Sequence, residues 1–340
     1  MIRATPGMRR LLSALVLALV LPASAQAAVR VSAFYYPWYG TSSVDGSYQH
    51  WAQLGHNPPN DIASSYYPAR GLYSSSDQLV IGQQMDEIRA AGIEEIAVSW
   101  WGQGSPEDAR LPAVVAAARA DGIAVAAHLE PYTGRSVLGT VTDIAYLRTY
   151  GIKTFYVYRP FDFAAADWAA AKAALHAGGV TLMGQTALVG AAAAAGFDGV
   201  YTYDIVTYGG QMFRRLCTEA HAVHLACAPS VGPGYDARRG SRDPRVKGRR
   251  NGATYDAMWR SAIAAGADRI TITSFNEWHE GTQIEPASPP QRRAGYRYLS
   301  YDGAWGLHGL EAELAYLTRT RYWSDVFRST SALHPKSSPS

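Results

Sequence analysis

Eight short apolar segments, each followed by a stretch of helical length, recur along this 340-residue chain and leave few architectures open. The strand-like segments are Val29 to Tyr39, Glu94 to Trp101, Ile123 to Tyr132, Thr154 to Pro160, Thr181 to Thr186, Gly199 to Ile205, Val223 to Ala228 and Arg269 to Phe275. Helices are predicted over Gln78 to Ala91, Pro112 to Ala120, Thr142 to Tyr150, Asp167 to His176, a short alanine-rich turn at Gly190 to Ala195, Gln211 to His221 and Thr254 to Ala265, with a closing helix near Glu311 to Leu317. Gly92, Gly122, Gly151, Gly178, Gly196 and Gly266 stand where left-handed residues would end those helices. Repeated βα units in one domain-sized chain predict an α/β fold, a single-domain (β/α)8 TIM barrel with its chemistry at the strands' carboxyl ends. An open doubly wound sheet is the competitor. The loop after the first strand, Trp38-Tyr39-Gly40-Thr41-Ser42, holds no glycine-rich phosphate cradle and argues against it.

The amino terminus reads as a separate, removable piece. Arg3, Arg9 and Arg10 precede an apolar run from Leu11 to Leu21 and the small-residue site Ala25-Gln26-Ala27, the three regions of a secretory signal peptide. The run is shorter than the roughly 20 residues that span a bilayer, so cleavage after Ala27 and export are expected, with no stable membrane insertion. Residues 28–328 are assigned to the catalytic barrel and 329–340 to a flexible tail. Removing the three leader arginines leaves 28 Lys and Arg against 28 Asp and Glu, which takes away the electrostatic case for a nucleic-acid partner. Cys217 and Cys227 are either a disulfide, in an oxidising compartment, or two buried thiols. A monomer is expected.

The chemistry concentrates in Ile270 to Pro286, I-T-I-T-S-F-N-E-W-H-E-G-T-Q-I-E-P. An alternating strand there runs into Glu277 and Glu280, separated by Trp278 and His279, and two carboxyls at a strand end are the residue set for acid/base work on a glycosidic bond. His279-Glu280 resembles the start of a zinc-protease helix, but position 283 is Gln where a second His is needed, so no metal or other cofactor is expected. The other strand-end loops bring aromatic and polar groups: Tyr36, Trp38, His50 and Trp51 after the first strand, Trp100 and Trp101 after the second, His128, Glu130 and Tyr132 after the third, and Tyr201, Tyr203 and Asp204 after the sixth. Flat rings for C–H faces and charged acceptors for hydroxyls suit a sugar. The basic run Arg238, Arg239, Arg242, Arg245, Lys247, Arg249 and Arg250 reads as a solvated loop from which one Arg, Arg249 or Arg250, is expected to reach the site.

These motifs resemble glycoside hydrolase family 99, the endo-α-mannosidases and endo-α-1,2-mannanases. The resemblance runs through F-Y-Y-P-W-Y-G at Phe34 to Gly40, Y-Q-H-W at Tyr48 to Trp51, P-P-N-D-I-A-S-S-Y-Y-P at Pro58 to Pro68 and S-W-W-G at Ser99 to Gly102. It continues in H-L-E-P-Y at His128 to Tyr132, D-G-V-Y-T-Y at Asp198 to Tyr203, P-S-V-G-P-G-Y at Pro229 to Tyr235 and S-F-N-E-W-H-E-G-T-Q-I-E at Ser274 to Glu285. It implies a metal-free barrel that cleaves internal α-mannosidic bonds with retention. Glu277 would be the base that takes the proton of the sugar's own 2-hydroxyl, giving a 1,2-anhydro sugar, and Glu280 the acid, with a raised pKa. Tyr36, Trp38, His50, Trp101, His128, Glu130, Tyr132, Tyr203, Trp278 and Arg249 would bind substrate. Trp101 stands where bacterial mannan-cleaving members have Trp and animal Golgi members Tyr, which implies mannose in the adjacent donor subsite. The implied partner is a mannose-containing oligosaccharide or polysaccharide. The rival readings are the same barrel acting on another α-linked polysaccharide, and a non-catalytic carbohydrate-binding protein.

Overall fold

Side chains alternate between two cores along each strand, and that alternation places the site. In the computed structural model, β1 (Arg30–Tyr35) sends Val31, Ala33 and Tyr35 outward into the large core under the helices, and Phe34 and then Tyr36 inward. Ile96, Val98 and Trp100 of β2 (Glu95–Trp100) likewise face the helices, while Ala97 faces in. Phe34, Tyr36, Tyr156, Met183, Tyr201 and Tyr203 fill the lumen against Ala97, Ala126 and Ala228. Large and small residues thus interdigitate, and the barrel is a packed core rather than a pore.

Seven further strands complete the sheet: β3 (Ala124–Leu129), β4 (Thr154–Val157), β5 (Thr181–Gln185), β6 (Gly199–Tyr201), β7 (Ala226–Ala228), β8 (Ser230–Val231) and β9 (Arg269–Ile272). All pair in parallel, in the order β7-β6-β5-β4-β3-β2-β1-β9-β8. The sheet's two ends, β7 and β8, are consecutive pieces of one chain pass, interrupted at Pro229, which has no N–H to give to a ladder. The pass bonds to β6 before the proline and to β9 after it, and so closes the (β/α)8 barrel.

Helices α1 (Gln78–Ala90), α2 (Pro106–Ala120), α3 (Val137–Arg148), α4 (Ala165–Leu175), α5 (Val189–Ala195), α6 (Phe213–Ala222), α7 (Ala253–Ala264) and α8 (Ala315–Leu333) follow the strands. The six glycines expected to end helices all take positive φ, between 69° and 83°. Two starts differ from expectation. Ser105 caps α2 by accepting from the Asp108 N–H, with Pro106 at the first helical position, so Pro112 lies inside the helix instead of opening it. Ser136 caps α3 through the Gly139 N–H, so the helix begins at Val137, five residues before the predicted start at Thr142.

The structure describes Met1 and residues 30–333; the signal peptide expected over 1–27 lies outside the described residues. Helix α8 runs on to Leu333, so residues 329–333 continue the barrel's last helix rather than beginning a loose tail. No helix among the described residues is long and apolar enough to cross a membrane.

Cys217 of α6 and Cys227 of β7 form a disulfide across a sequence separation of 10. Both residues are fully buried. Closing so short a loop restricts the unfolded chain by about 2–3 kcal/mol, and Cys217→Ala with Cys227→Ala should lower the urea-unfolding free energy by that amount. A double variant as stable as the parent would show that the bridge adds nothing.

Candidate active site

Beyond the strand ends, the inward register continues as the site. Ser99 and His128 are partners in the β2–β3 ladder, and Trp101 and Glu130 are the next inward positions. Ser99 Oγ donates to Glu130 Oε1 at 2.8 Å, and Trp101 Nε1 donates to Ser99 Oγ at 3.1 Å. His128 Nε2 lies 2.9 Å from the Tyr201 hydroxyl. His128 Nδ1 is 3.0 Å from Glu130 Oε1 but not aligned for a hydrogen bond, so the two are close without a directed bond.

The first-strand loop adds an aromatic wall. Trp38 stacks on His50 with ring centroids 4.4 Å apart and lies 6.5 Å from Trp101 and 4.7 Å from Tyr36. Trp38, His50 and Trp101 are all partly exposed. Trp38 Nε1 and His50 Nδ1 are buried atoms without a hydrogen-bond partner in the protein.

Glu277 and Glu280 rise from the turn after β9. This turn is folded back on itself: the Ile284 and Glu285 N–H groups bond the Phe275 carbonyl, and Asn276 exchanges two hydrogen bonds with the Tyr36 backbone. The Glu277 carboxylate accepts from the His279 N–H at 2.9 Å and is 2% exposed. His279 Nε2 sits 3.0 Å from the His50 carbonyl, an acceptor only, so Nε2 carries the proton. Tyr203 takes φ of 54°, a costly conformation for a bulky residue. Its N–H bonds Ser230 Oγ and its carbonyl accepts from Thr273 Oγ1. Held this way, its hydroxyl meets that of Tyr36 and lies 3.4 Å from Glu280 Oε2.

Burial pushes both carboxyls upward. Glu280 is raised to about 8, by desolvation first and then by the charges of Asp204 and Glu130. Glu277 is raised by desolvation and by the charge of Glu280, while backbone N–H groups of His279 and Glu280 oppose the shift. Those N–H groups favour the charged form of Glu277, whereas Glu280 has the long Tyr203 contact and the charge of Arg245 against two acids nearby. Glu280 therefore holds a proton in the neutral range. If Glu280 must donate that proton, activity holds below about pH 8 and falls above it as Glu280 ionises. A kcat/KM profile flat to pH 10 would refute this.

Glu280 opens into a cavity of about 300 Å³ lined by Tyr158, Tyr203, Asp204, Tyr235 and Arg245 among others. Of the residues expected at the site, Tyr36, Trp38, His50, Trp101, His128, Glu130, Tyr203, Glu277 and Glu280 come together. Three do not. Trp278 is fully buried and donates from Nε1 to Glu285 Oε2 at 2.8 Å, so it anchors the turn from behind. Tyr132 turns to Asp143 of α3 and packs edge-on against Trp100. Arg249 lies 4.6 Å from each of the Tyr66, Tyr301 and Tyr316 rings and donates to the Gly281 and Gln283 carbonyls, bracing the turn rather than facing the cavity.

The arginine that lines the cavity is Arg245. A short antiparallel pair, Tyr235–Asp236 with Val246–Lys247, folds the basic run back over the β6 loop, and Arg245 Nη1 meets Asp204 Oδ2 at 3.0 Å. The run is not simply solvated: Arg239 is packed 3.7 Å over the Tyr296 ring and bonded to the Ser64 and Ile62 carbonyls.

Comparison with known proteins identifies the family. The sequence profile of glycosyl hydrolase family 99 matches residues 27–329. The chain is 33% identical to a zebrafish (Danio rerio) glycoprotein endo-alpha-1,2-mannosidase-like protein, over 86% of this chain and 77% of the other. It is 32% identical to the mouse (Mus musculus) glycoprotein endo-alpha-1,2-mannosidase, over 87% of this chain and 74% of the other. The solved GH99 endo-alpha-mannosidase from Bacteroides thetaiotaomicron superposes with a TM-score of 0.80 at 32% identity, covering 88% of this chain and 98% of that one. A profile match across nearly the whole barrel, joined to relatives at this identity and coverage, places the chain in glycosyl hydrolase family 99, and it is a glycoside hydrolase.

Proposed function

We propose that this protein is an exported, retaining endo-α-mannosidase or mannanase that hydrolyses internal α-1,2-type mannosidic linkages of mannan-like glycans. The observation that carries the reading is the Glu277 and Glu280 pair, one carboxylate held by backbone N–H groups and the other kept protonated by burial in a cavity beside an aromatic wall. The names of the animal relatives and of the bacterial neighbour supply the linkage and the sugar.

In this reading Glu277 takes the proton of the substrate's 2-hydroxyl as that oxygen attacks the anomeric carbon. Glu280 gives its proton to the departing glycosidic oxygen. The product of the first step is a 1,2-anhydro sugar; water then adds at the anomeric carbon, giving a proton to Glu280 while Glu277 returns one to the reopened 2-oxygen. Two inversions give net retention. Trp101 and Trp38 would carry the donor-side mannose on their faces.

Product analysis on an α-1,2-branched mannan tests the activity: short oligosaccharides whose new reducing ends are released as the α-anomer are expected. No products from the folded protein would move the substrate to another α-glycan. Replacing the reacting sugar by its 2-deoxy analogue should abolish cleavage, because the attacking oxygen is gone. Cleavage of the 2-deoxy substrate at a comparable rate would refute the anhydro route and favour direct attack by a carboxylate.

A further inference from the structure

Glu280 shares its cavity with a second charged group assembled from two separate loops. Asp204, in the turn after β6, accepts from the Val206 and Thr207 N–H groups at 2.9 and 3.0 Å and from Thr207 Oγ1 at 2.9 Å. Its Oδ2 also meets Arg245 Nη1 at 3.0 Å. Arg245 is fixed from its other edge by Asp243, through Nε at 2.9 Å and Nη2 at 2.7 Å, and lies 5.5 Å from the Tyr235 ring. The Arg245 side chain nonetheless remains 45% exposed.

The four lone-pair sites of Asp204 are taken by Val206, Thr207 and Arg245, so Asp204 holds the guanidinium in place. The exposed edge of Arg245 is the donor that a sugar hydroxyl can accept from. The Tyr158 and Tyr235 rings line the same cavity and offer flat surfaces for C–H faces. Charge argues for a neutral guest: the Asp204 and Asp243 carboxylates both flank Arg245, so a phosphate or carboxylate would meet two like charges against one opposite. Position argues for the leaving side. The aromatic wall of Trp38, His50 and Trp101 stands on the loops after β1 and β2, whereas Asp204 and Arg245 stand on those after β6 and β8, in one cavity with the group that protonates the departing oxygen.

We propose that Arg245, positioned by Asp204 and Asp243, forms a clamp for the sugar residue on the leaving side of the scissile bond, donating to a hydroxyl of a neutral hexose and disfavouring an anionic one. The assignment rests on the acid role of Glu280 proposed above.

The test compares two substrates in wild type, Arg245→Gln and Arg245→Lys. One is an α-1,2-linked manno-oligosaccharide with a sugar on the leaving side; the other is a mannobiosyl fluoride, whose fluoride fills no sugar subsite and departs without a proton. The ratio of kcat/KM for the oligosaccharide to that for the fluoride should fall roughly 10- to 100-fold in Arg245→Gln, the usual effect of losing a charged hydrogen-bond donor to a ligand. Arg245→Lys, which keeps the charge and a donor nitrogen, should lie between and keep the alkaline limb of the oligosaccharide profile in place, whereas Arg245→Gln should move that limb upward, because the Arg245 charge lowers Glu280. Because each variant is its own reference, partial misfolding lowers both rates and leaves the ratio intact. A ratio within twofold of wild type in Arg245→Gln would overturn the clamp. Oxidising the leaving-side residue to its uronic acid should slow wild type; equal rates would overturn the neutral preference. If wild type turns over neither substrate, the function proposed above has failed and the clamp with it.

Discussion

Glu277→Gln should reduce kcat/KM on an α-1,2-mannan roughly a thousand-fold while leaving the fold intact. General base catalysis by a positioned side chain typically contributes 10²- to 10⁴-fold, and the neighbours offer no ready substitute. His279 is pushed down to about 4 by burial and His50 to about 3 by burial and the charge of His279, so both are neutral, weak bases at working pH. The amide is nearly the same size as the carboxyl, and its oxygen can keep the bond from the His279 N–H. Stability should hold or rise. A carboxyl whose folded pKa is raised favours the native state only while protonated, and it weakens that state as pH climbs above its unfolded value. At pH 7 the amide removes that cost, so the thermal midpoint of the variant should equal or exceed that of wild type. Unchanged kcat/KM would dismiss Glu277 as the base, and a midpoint several degrees lower would mean that its charge stabilises the turn.

The same residues show what a sequence discloses and what it withholds. Alternation along β1, β2 and β3 disclosed which side chains face inward, because a strand's period of two fixes it; His128 and Glu130 follow from Ala126 without any knowledge of the fold. The Glu277 and Glu280 turn was legible as a strand running into carboxylates. Trp278, between them, was misplaced as a sugar platform because a turn has no period, and its direction depends on Glu285, seven residues on, which receives its Nε1 proton. Arg249 and Arg245 differ by four positions in one basic run. Only the pairing of Val246–Lys247 with Tyr235–Asp236 decides that the earlier one faces the cavity and the later one goes under the turn. Pro112 misled for a related reason: proline is common at a helix start, but Ser105-Pro106 offered a better one six residues earlier, with a side-chain cap.

Glu285→Ala should be among the most destabilising single changes in the barrel, costing about 3–5 kcal/mol, because it strips one partner from a fully buried charge network. The Glu285 carboxylate accepts from Trp278 Nε1, the Tyr73 hydroxyl and Gln84 Nε2, each at 2.8 Å, and pairs with Arg70 Nε at 3.1 Å. Alanine would take the acceptor from the Tyr73 hydroxyl and Gln84 Nε2, leave Trp278 Nε1 with only its 3.2 Å contact to the Tyr73 hydroxyl, and open a void behind the turn. Arg70 would keep Glu87, whose carboxyl is raised to about 7 by burial and by the charge of Glu285. The linkage gives a second readout with a definite sign. A carboxyl raised from 4.5 to about 7 draws stability down as pH rises through that window, because the folded state holds the proton longer than the unfolded chain. Removing the Glu285 charge relaxes Glu87 downward, so the fall in unfolding free energy between pH 4.5 and 7 should be shallower in Glu285→Gln than in wild type. Urea titrations at several pH values measure both effects. A loss under 1 kcal/mol in the alanine variant, or parallel pH curves, would show that Glu285 is not the network's anchor. Activity should fall with stability, since Trp278 is the covalent neighbour of Glu277 and its N–H meets the Tyr39 hydroxyl, which in turn donates to the Asn276 carbonyl. The turn that carries Glu277 and Glu280 is held from behind by a fully buried carboxylate.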